Sequence, residues 1–567
     1  MDNLTKLGYD ICKDRYFWNT ENTWSDLSTR LSIENAKNEK SNQDVWASDF
    51  YDIINSMDFI PAGRILRNLG KTKPSTSNCN FIGMEDSIES IGQTIAKYMT
   101  ISAYGGGTGL NPSVLRPKDA EIKTRGGKSS GMLSFLEIFD FAGKRIESGG
   151  SRRSAGIALC VISHPEVLDF IDAKSKHDRL NQFNISVVIN DAFIKAVENN
   201  EDWEFRFSGK TYGKMKAKDL WDKILNNMLA HGEPGIINWD NLIKNNTYYF
   251  SQIEGVNPCG ELPLENLGVC NLGSLVLPHF ISNKNTNWQK LSKTIKTAVR
   301  FMDNIIDLAY YPIEGQEQVV KNARRTGIGT TGLADYLFMK EIRYGSDRSL
   351  NEIEKLYKFI RDEAYIASVE IAIEKGAFPK YDKYYYNKAS FIKKLPPKLR
   401  MFIKENSIRN SVLLTCPPTG TTSMLAGVTS GIEPLPFKGY RREDGIGTSI
   451  HIHPLTKTNL KDDWFVDSYD LNPEEHLDVQ LTIQKYIDNS VSKTIILPNK
   501  TTSSGLSKLL LEYVCDLKGI TVYRDGSREK QIYYKLSDKE IKTYIEEEEI
   551  QEQEIIDVNC EDGTCEI

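Results

Sequence analysis

Asn257-Pro258-Cys259-Gly260-Glu261 is the stretch on which the reading of this chain turns. It sets an amide, a thiol and a carboxylate at alternate positions. If the backbone runs extended there, side chains 257, 259 and 261 share one face, because strand side chains alternate with period two. A hydrogen-bonding amide, a sulfur and a potential general base then address one bound molecule. Pro258 and Gly260 suit a constrained loop tip better than a regular strand. From this stretch alone a cysteine that merely packs as a small hydrophobe also stays open.

Two further features widen the chemistry. Cys270 follows closely, and Cys560 and Cys565 lie near the end of the sequence in Cys560-Glu561-Asp562-Gly563-Thr564-Cys565. They end a tail carrying Glu546-Glu547-Glu548-Glu549, Glu552 and Glu554, too acidic and too poor in large apolar groups to form a core. Two thiols on such a tail point to reversible dithiol/disulfide exchange, with an idle tail as the alternative. Zinc is disfavoured, because the tail offers one CxxxxC rather than two CxxC-like pairs.

Composition narrows the class. With 567 residues the chain can hold one large α/β barrel or two to three modules. A net charge of -6 makes no general case for nucleic acid or membrane surfaces as partners. The start, Met1-Asp2-Asn3-Leu4-Thr5-Lys6, has no apolar leader, and no apolar run approaches the roughly 18 residues that span a bilayer. Nine cysteines, an odd and scattered set, fit a reducing cytoplasm. Seven histidines, none in an HxxxH arrangement, predict no metal site.

Residues 1–60 read as helical, with Trp18, Trp24, Leu27 and Leu31 as packing residues. From 60 to 275 short apolar runs (Asn80-Phe81-Ile82-Gly83, Gly105-Gly106-Gly107-Thr108-Gly109, Ile157-Ala158-Leu159-Cys160-Val161-Ile162) alternate with helices near 87–102, 134–146 and 165–175. That alternation predicts a parallel or mixed α/β sheet. Residues 290–345 and 350–375 read as long amphipathic helices. Ser411-Val412-Leu413-Leu414-Thr415-Cys416 reads as a strand leading through Pro417-Pro418-Thr419-Gly420-Thr421-Thr422-Ser423 into a helix. That loop is an anion cradle of backbone N–H groups and hydroxyls, or a simple helix cap; no Lys makes it a Walker loop. Gly149-Gly150-Ser151-Arg152-Arg153-Ser154-Ala155-Gly156 is a flexible basic loop that reads a nucleotide or is a solvated turn.

Taken together these segments resemble the large catalytic subunit of ribonucleotide reductase from about residue 45 to 530. Asn257 to Glu261 with Gly268-Val269-Cys270-Asn271-Leu272-Gly273-Ser274 is similar to the family's finger loop. Pro418 to Ser423 with Ser430-Gly431-Ile432-Glu433-Pro434 is similar to its phosphate loop, and Ser77-Asn78-Cys79 to the segment bearing its first redox cysteine. The resemblance implies a ten-stranded α/β barrel of the ribonucleotide reductase/glycyl-radical type over residues 61–530. An N-terminal helical segment (1–60) with no room for an ATP-cone precedes it, and an acidic tail with a redox cysteine pair (531–567) follows.

The resemblance also implies roles. A sulfur radical at Cys259 takes the ribose 3′ hydrogen, Glu261 accepts the 3′-hydroxyl proton and Asn257 holds that hydroxyl. Cys79 and Cys270 supply the reducing equivalents and end as a disulfide. Cys560 and Cys565 re-reduce that pair and are reduced by a thioredoxin- or glutaredoxin-like partner. Thr419, Gly420, Thr421, Thr422 and Ser423 hold substrate phosphate, the diphosphate being favoured. Asp86 and Arg116 bind an allosteric effector, a deoxynucleoside triphosphate or ATP, and Arg152, Arg153, Ser154 and Ala155 belong to the loop that transmits specificity.

Class I relatives carry two adjacent tyrosines where this chain reads Tyr523-Arg524. This segment, and Asp488-Asn489-Ser490-Val491-Ser492-Lys493-Thr494-Ile495, are similar to the class II, adenosylcobalamin-dependent branch. The alternatives are a class I subunit needing a di-metal partner and a non-catalytic nucleotide-binding regulator. A cytoplasmic homodimer is expected.

Overall fold

The computed structural model describes residues 4–124, 126–148, 152–153, 155–175, 179–444, 447–527 and 533–546. Three helices open the chain: α1 (Lys6–Arg15), α2 (Trp24–Ala36) and α3 (Gln43–Asn55). Thr5 caps α1 by accepting from Gly8 N at 3.1 Å. Thr23 and Asp26 cap α2 reciprocally, satisfying two N–H groups that a helix start leaves without partners. Trp24, Leu27 and Leu31 are buried, and half-buried Trp18 donates its indole N–H to Arg67 O. A short helix, α4 (Gly63–Asn68), leads into the barrel.

The first half of the barrel is parallel. Its strands β1 (Cys79–Phe81), β2 (Gly107–Leu110), β3 (Gly156–Val161), β4 (Phe183–Ile189) and β5 (Gly235–Asn238) pair in chain order. Helices α5 (Ile88–Ala103) and α6 (Met132–Arg145) cross over on the outside. A small hairpin follows, β6 (Gly255–Val256) and β7 (Pro263–Leu264), with the 257–262 turn at its tip. The second half comprises β8 (Val269–Val276), β9 (Thr326–Thr331), the segment 411–416, β10 (Thr494–Leu497) and β11 (Gly519–Arg524), again parallel. Two antiparallel seams join the halves, Cys270 opposite Cys79 and Ile236 opposite Ile520.

With Phe59–Pro61, which pairs antiparallel to β8, the regular strands make a ten-stranded sheet. Bridges from Ile328 to Leu414 and from Cys416 to Val491 close it into a barrel. The expected α/β barrel, finger loop and helical start are all present.

Two expectations need correction. Residues 290–345 are not one helix. α7 (Trp288–Leu308) ends there, a second helix covers Gln316–Ala323, and barrel strand β9 follows. The segment 411–416 is strand-like but bridges only at single positions, because the Asp488 carboxylate takes the N–H groups of Leu413 and Leu414 at 2.8 Å each. The expected helix at 350–375 is α8 (Asp347–Lys375). Near 165–175 the helix is short, Val167–Ile171.

The finger hairpin lies tight against the barrel wall. A Cβ on Gly109 of β2 would stand 1.8 Å from Val256 O, so only glycine allows this approach.

Candidate active site

The tip of the finger turns at Gly260, whose φ of +77° lies in the region glycine favours. The turn buries Asn257 and Glu261 and leaves Cys259 exposed to cavity space. Asn257 is clamped: its Oδ1 accepts from Leu262 N at 2.9 Å and its Nδ2 donates to Cys79 Sγ at 3.2 Å. Asn184 donates to Pro258 O at 3.1 Å and fixes the other side of the turn. Residues 257, 259 and 261 therefore meet at one place through a loop tip, not along an extended face.

Glu261 is 1% exposed, and among the described residues its Oε2 has no hydrogen-bond partner. Burial pushes its carboxyl up to about 7, and the Asn257 amide opposes part of that shift. Such a group gives and takes protons near neutral pH. Burial also raises the Cys79 thiol well above its ordinary value, and the charges of Glu261 and Cys259 push the same way. Burial raises Cys270 too, with the Arg325 guanidinium pulling back.

Sequence reasoning missed Arg325. It is buried, lies 4.2 Å from the Tyr248 ring centroid and donates to Asn489 Oδ1 at 2.7 Å.

Two cavities meet at the finger tip, both lined by Pro258, Cys259 and Pro418. The smaller, about 360 Å³, also takes in Cys79, Glu261, Ala155 and residues 419–422. Thr419 adopts a left-handed conformation, φ 52°, and is held by Thr331 Oγ1 at 2.9 Å and by Gly431 N, which donates to Thr419 Oγ1 at 2.7 Å. That turn starts α9 (Gly420–Ala426), whose first residues, 420–422, line the cavity, and the first N–H groups of a helix have no partner within it. Ser423 sits behind the loop, its hydroxyl shared with Ser430 at 2.8 Å. Arg15, Arg64 and Arg67 line the same cavity, and no sequence motif pointed to them.

The larger cavity, about 670 Å³, reaches Cys259 past Ile157, Ile237, Phe437, Tyr469 and Tyr523. The space beside Gly260 is open, with only Ile237 Cδ1 within 4 Å of where a Cβ would stand. A bulky, largely apolar group fits there against the thiol. Of the pair Tyr523-Arg524 only the tyrosine lines this cavity, together with residues 519–522 of the same strand.

Away from the finger, Arg116 donates to Asp86 from Nε at 2.8 Å and from its backbone N at 3.2 Å, so the structure brings the two expected effector residues together. Arg152 and Arg153 form a two-residue strand against Glu147–Ser148. Ser154, Cys560 and Cys565 lie outside the described residues. Among the described residues no group of three or more His, Cys, Asp or Glu could hold a metal ion. No helix among them is long and apolar enough to cross a membrane.

Residues 77–523 match the family described as ribonucleotide reductase, barrel domain, and residues 2–74 match ribonucleotide reductase, all-alpha domain. The chain is 33% identical over 520 residues to the vitamin B12-dependent ribonucleoside-diphosphate reductase of Thermoplasma acidophilum, covering 85% of this chain and 66% of that one. It is 31% identical over 521 residues to the protein of the same name from Mycobacterium tuberculosis, covering 86% and 73%. It is 26% identical to the ribonucleoside-diphosphate reductase subunit alpha of Chlamydia pneumoniae, covering 89% of this chain and 54% of that one. With its helical and barrel portions both matched and the finger-loop thiol at the barrel's centre, this chain belongs to the ribonucleotide reductase family.

Proposed function

We propose that this protein reduces ribonucleotides, the diphosphates being favoured, to 2′-deoxyribonucleotides, with adenosylcobalamin in the larger cavity and the nucleotide in the smaller. The observation that carries this reading is the position of Cys259 between the two cavities, beside Glu261 and within the same site as Cys79. Adenosylcobalamin held in the larger cavity would supply radical chemistry, by which the Cys259 thiol would lose its hydrogen atom and become a sulfur radical. Ile157, Ile237, Phe437, Tyr469 and Tyr523 would hold it and exclude water from the thiol.

On the other side, Cys259 takes the 3′ hydrogen of the ribose and Glu261 takes the 3′-hydroxyl proton. The 2′-hydroxyl leaves as water with a proton from the neutral thiol pair. Cys79 and Cys270 give up two electrons and two protons and join as a disulfide: one proton leaves in that water, and the other, with the electron pair, makes the new carbon 2′–hydrogen bond. Glu261 returns its proton to the 3′ oxygen and Cys259 returns its hydrogen atom to carbon 3′. Burial keeps both thiols protonated until then, which suits them as proton donors. Residues 419–422 hold the first phosphate, with Ser423 bracing the loop from behind, and Asn257 orients Cys79 and the 3′-hydroxyl. Cys560 and Cys565 then exchange with the Cys79–Cys270 disulfide, and a thioredoxin- or glutaredoxin-like protein recharges them.

The same reading assigns the Asp86–Arg116 pair to a deoxynucleoside triphosphate or ATP effector, with residues 152–155 relaying its signal; Ala155 lines the substrate cavity. Exposed Ile88 and Met99 on α5 and Ile138 and Phe141 on α6 support a homodimer through these helices. The enzyme works in the cytoplasm.

The test is purified protein with dithiothreitol and ribonucleoside diphosphates, with and without adenosylcobalamin and with no second subunit. Deoxynucleotide formed only with the cobalamin is expected. Turnover that needs a di-metal subunit instead overturns the cobalamin assignment.

A further inference from the structure

The substrate cavity holds more positive charge than the chemistry above uses. Arg15 at the last position of α1, Arg64 in the first turn of α4 and Arg67 one turn on line it, against one carboxyl, Glu261. The 417–423 loop offers backbone donors and hydroxyls but no cation, enough for one phosphate and not for the charge of a longer phosphate chain.

The three arginines are held toward that loop by packing. α1 lies on α9, where a Cβ on Gly8 would stand 2.9 Å from Leu425 O. The Tyr16 hydroxyl comes within 2.9 Å of a Cβ built on Gly63, and Trp18 Nε1 donates to Arg67 O at 2.9 Å, so the chain after α1 grips α4. The Arg64 guanidinium lies against Gly105. A Cβ on Gly105, at φ +82°, would stand 1.8 Å from its Nη2. Nearby Arg30 is neutralised by Glu21 at 2.5 Å, whereas Arg67 makes no ion pair among the described residues. The crowding is felt by Lys71, whose amine is lowered by burial and further by Arg67, Arg30 and Arg64.

We propose that Arg64 and Arg67, assisted by Arg15, bind the phosphates beyond the first on the substrate. The N-terminal helices then complete the nucleotide site and make it select nucleoside polyphosphates over monophosphates. The inference rests on the reductase reading, which seats the first phosphate at residues 419–422. Planar guanidinium forks suit phosphate oxygens two at a time, which a single lysine charge does not.

The experiment measures binding of each ribonucleoside diphosphate and its monophosphate by calorimetry to the full-length protein, with KM and kcat alongside. Wild type is expected to prefer the diphosphate by about 30-fold or more, the worth of one to two charged hydrogen bonds. In R64Q/R67Q that preference should fall to about threefold, through a loss of diphosphate affinity and a rise in its KM, with monophosphate affinity nearly unchanged. R64K/R67K should fall between, and it reads the same ratio if the glutamine variant fails to fold.

Variants that keep the full preference overturn the arginine assignment and leave the reductase reading standing. So does a kept preference with lost thioredoxin-driven turnover, which would make these arginines guides for the acidic tail. Wild-type protein that binds neither nucleotide overturns both readings.

Discussion

Cys79 and Cys270 stand directly opposite each other across the antiparallel seam between β1 and β8, both buried and neither in a disulfide. Directly opposed residues of an antiparallel pair have Cβ atoms about 4.5–5.5 Å apart, close to the separation a disulfide spans. One of the two seams that join the halves of the barrel is therefore also a place where two electrons can be released without large backbone movement.

The first prediction follows from that pairing. Replacing Cys560 and Cys565 with Ser should leave the first turnover intact in pre-reduced enzyme, giving about one product per site before activity stops with thioredoxin. Dithiothreitol should partly rescue it. C79S or C270S should fail within the first turnover under either reductant. Rapid-quench product counting separates the two, and steady thioredoxin-driven turnover of the tail variant would remove the tail from the relay.

On the proposed reading Cys259 carries the radical step, so C259S should lose turnover to below about a hundredth of wild type while nucleotide binding persists. Binding is read by calorimetry and turnover by product formation. Substantial residual activity would place the radical on another residue.

Glu261 makes a pH prediction. Its folded-state value, about 7, lies above the ordinary 4.5, so the native state holds the proton more tightly than the unfolded chain does. Its ionisation therefore costs stability, increasingly from pH 4.5 to about 7, by up to about 3 kcal/mol. Denaturant unfolding of E261Q against wild type should show the variant gaining relative stability across that window. In wild type kcat/KM should rise with pH through an apparent value near 7, because the base must be ionised. A flat difference in stability between pH 4.5 and 8 would contradict the burial argument.

Gly109 tests the finger. In G109A the new methyl meets Val256 O, so the hairpin must shift. We expect a loss of about 1–3 kcal/mol in stability and a kcat loss larger than any change in nucleotide affinity. An unaffected kcat would mean that the finger tolerates displacement.

Several parts of this protein were determined by the sequence alone. Residues 257–261 and 417–423 each carry their own chemistry within a few positions, so their order along the chain already shows which groups meet. The capped helices before residue 60 and the strands β1, β2 and β3 were legible for the same local reason. Strand β9 was not. Thr326-Gly327-Ile328-Gly329-Thr330-Thr331 lacks an apolar alternation because its glycines answer to distant neighbours. A Cβ on Gly327 would come within 2.9 Å of Cys270 Sγ, and one on Gly329 within 2.5 Å of Pro417 Cδ. Barrel closure likewise decided that Cys79 faces Cys270, that Arg325 sits near that thiol, and that Arg15, Arg64 and Arg67 share a cavity with residues 419–422. These groups are far apart along the chain, and only strand register and helix packing bring them within reach.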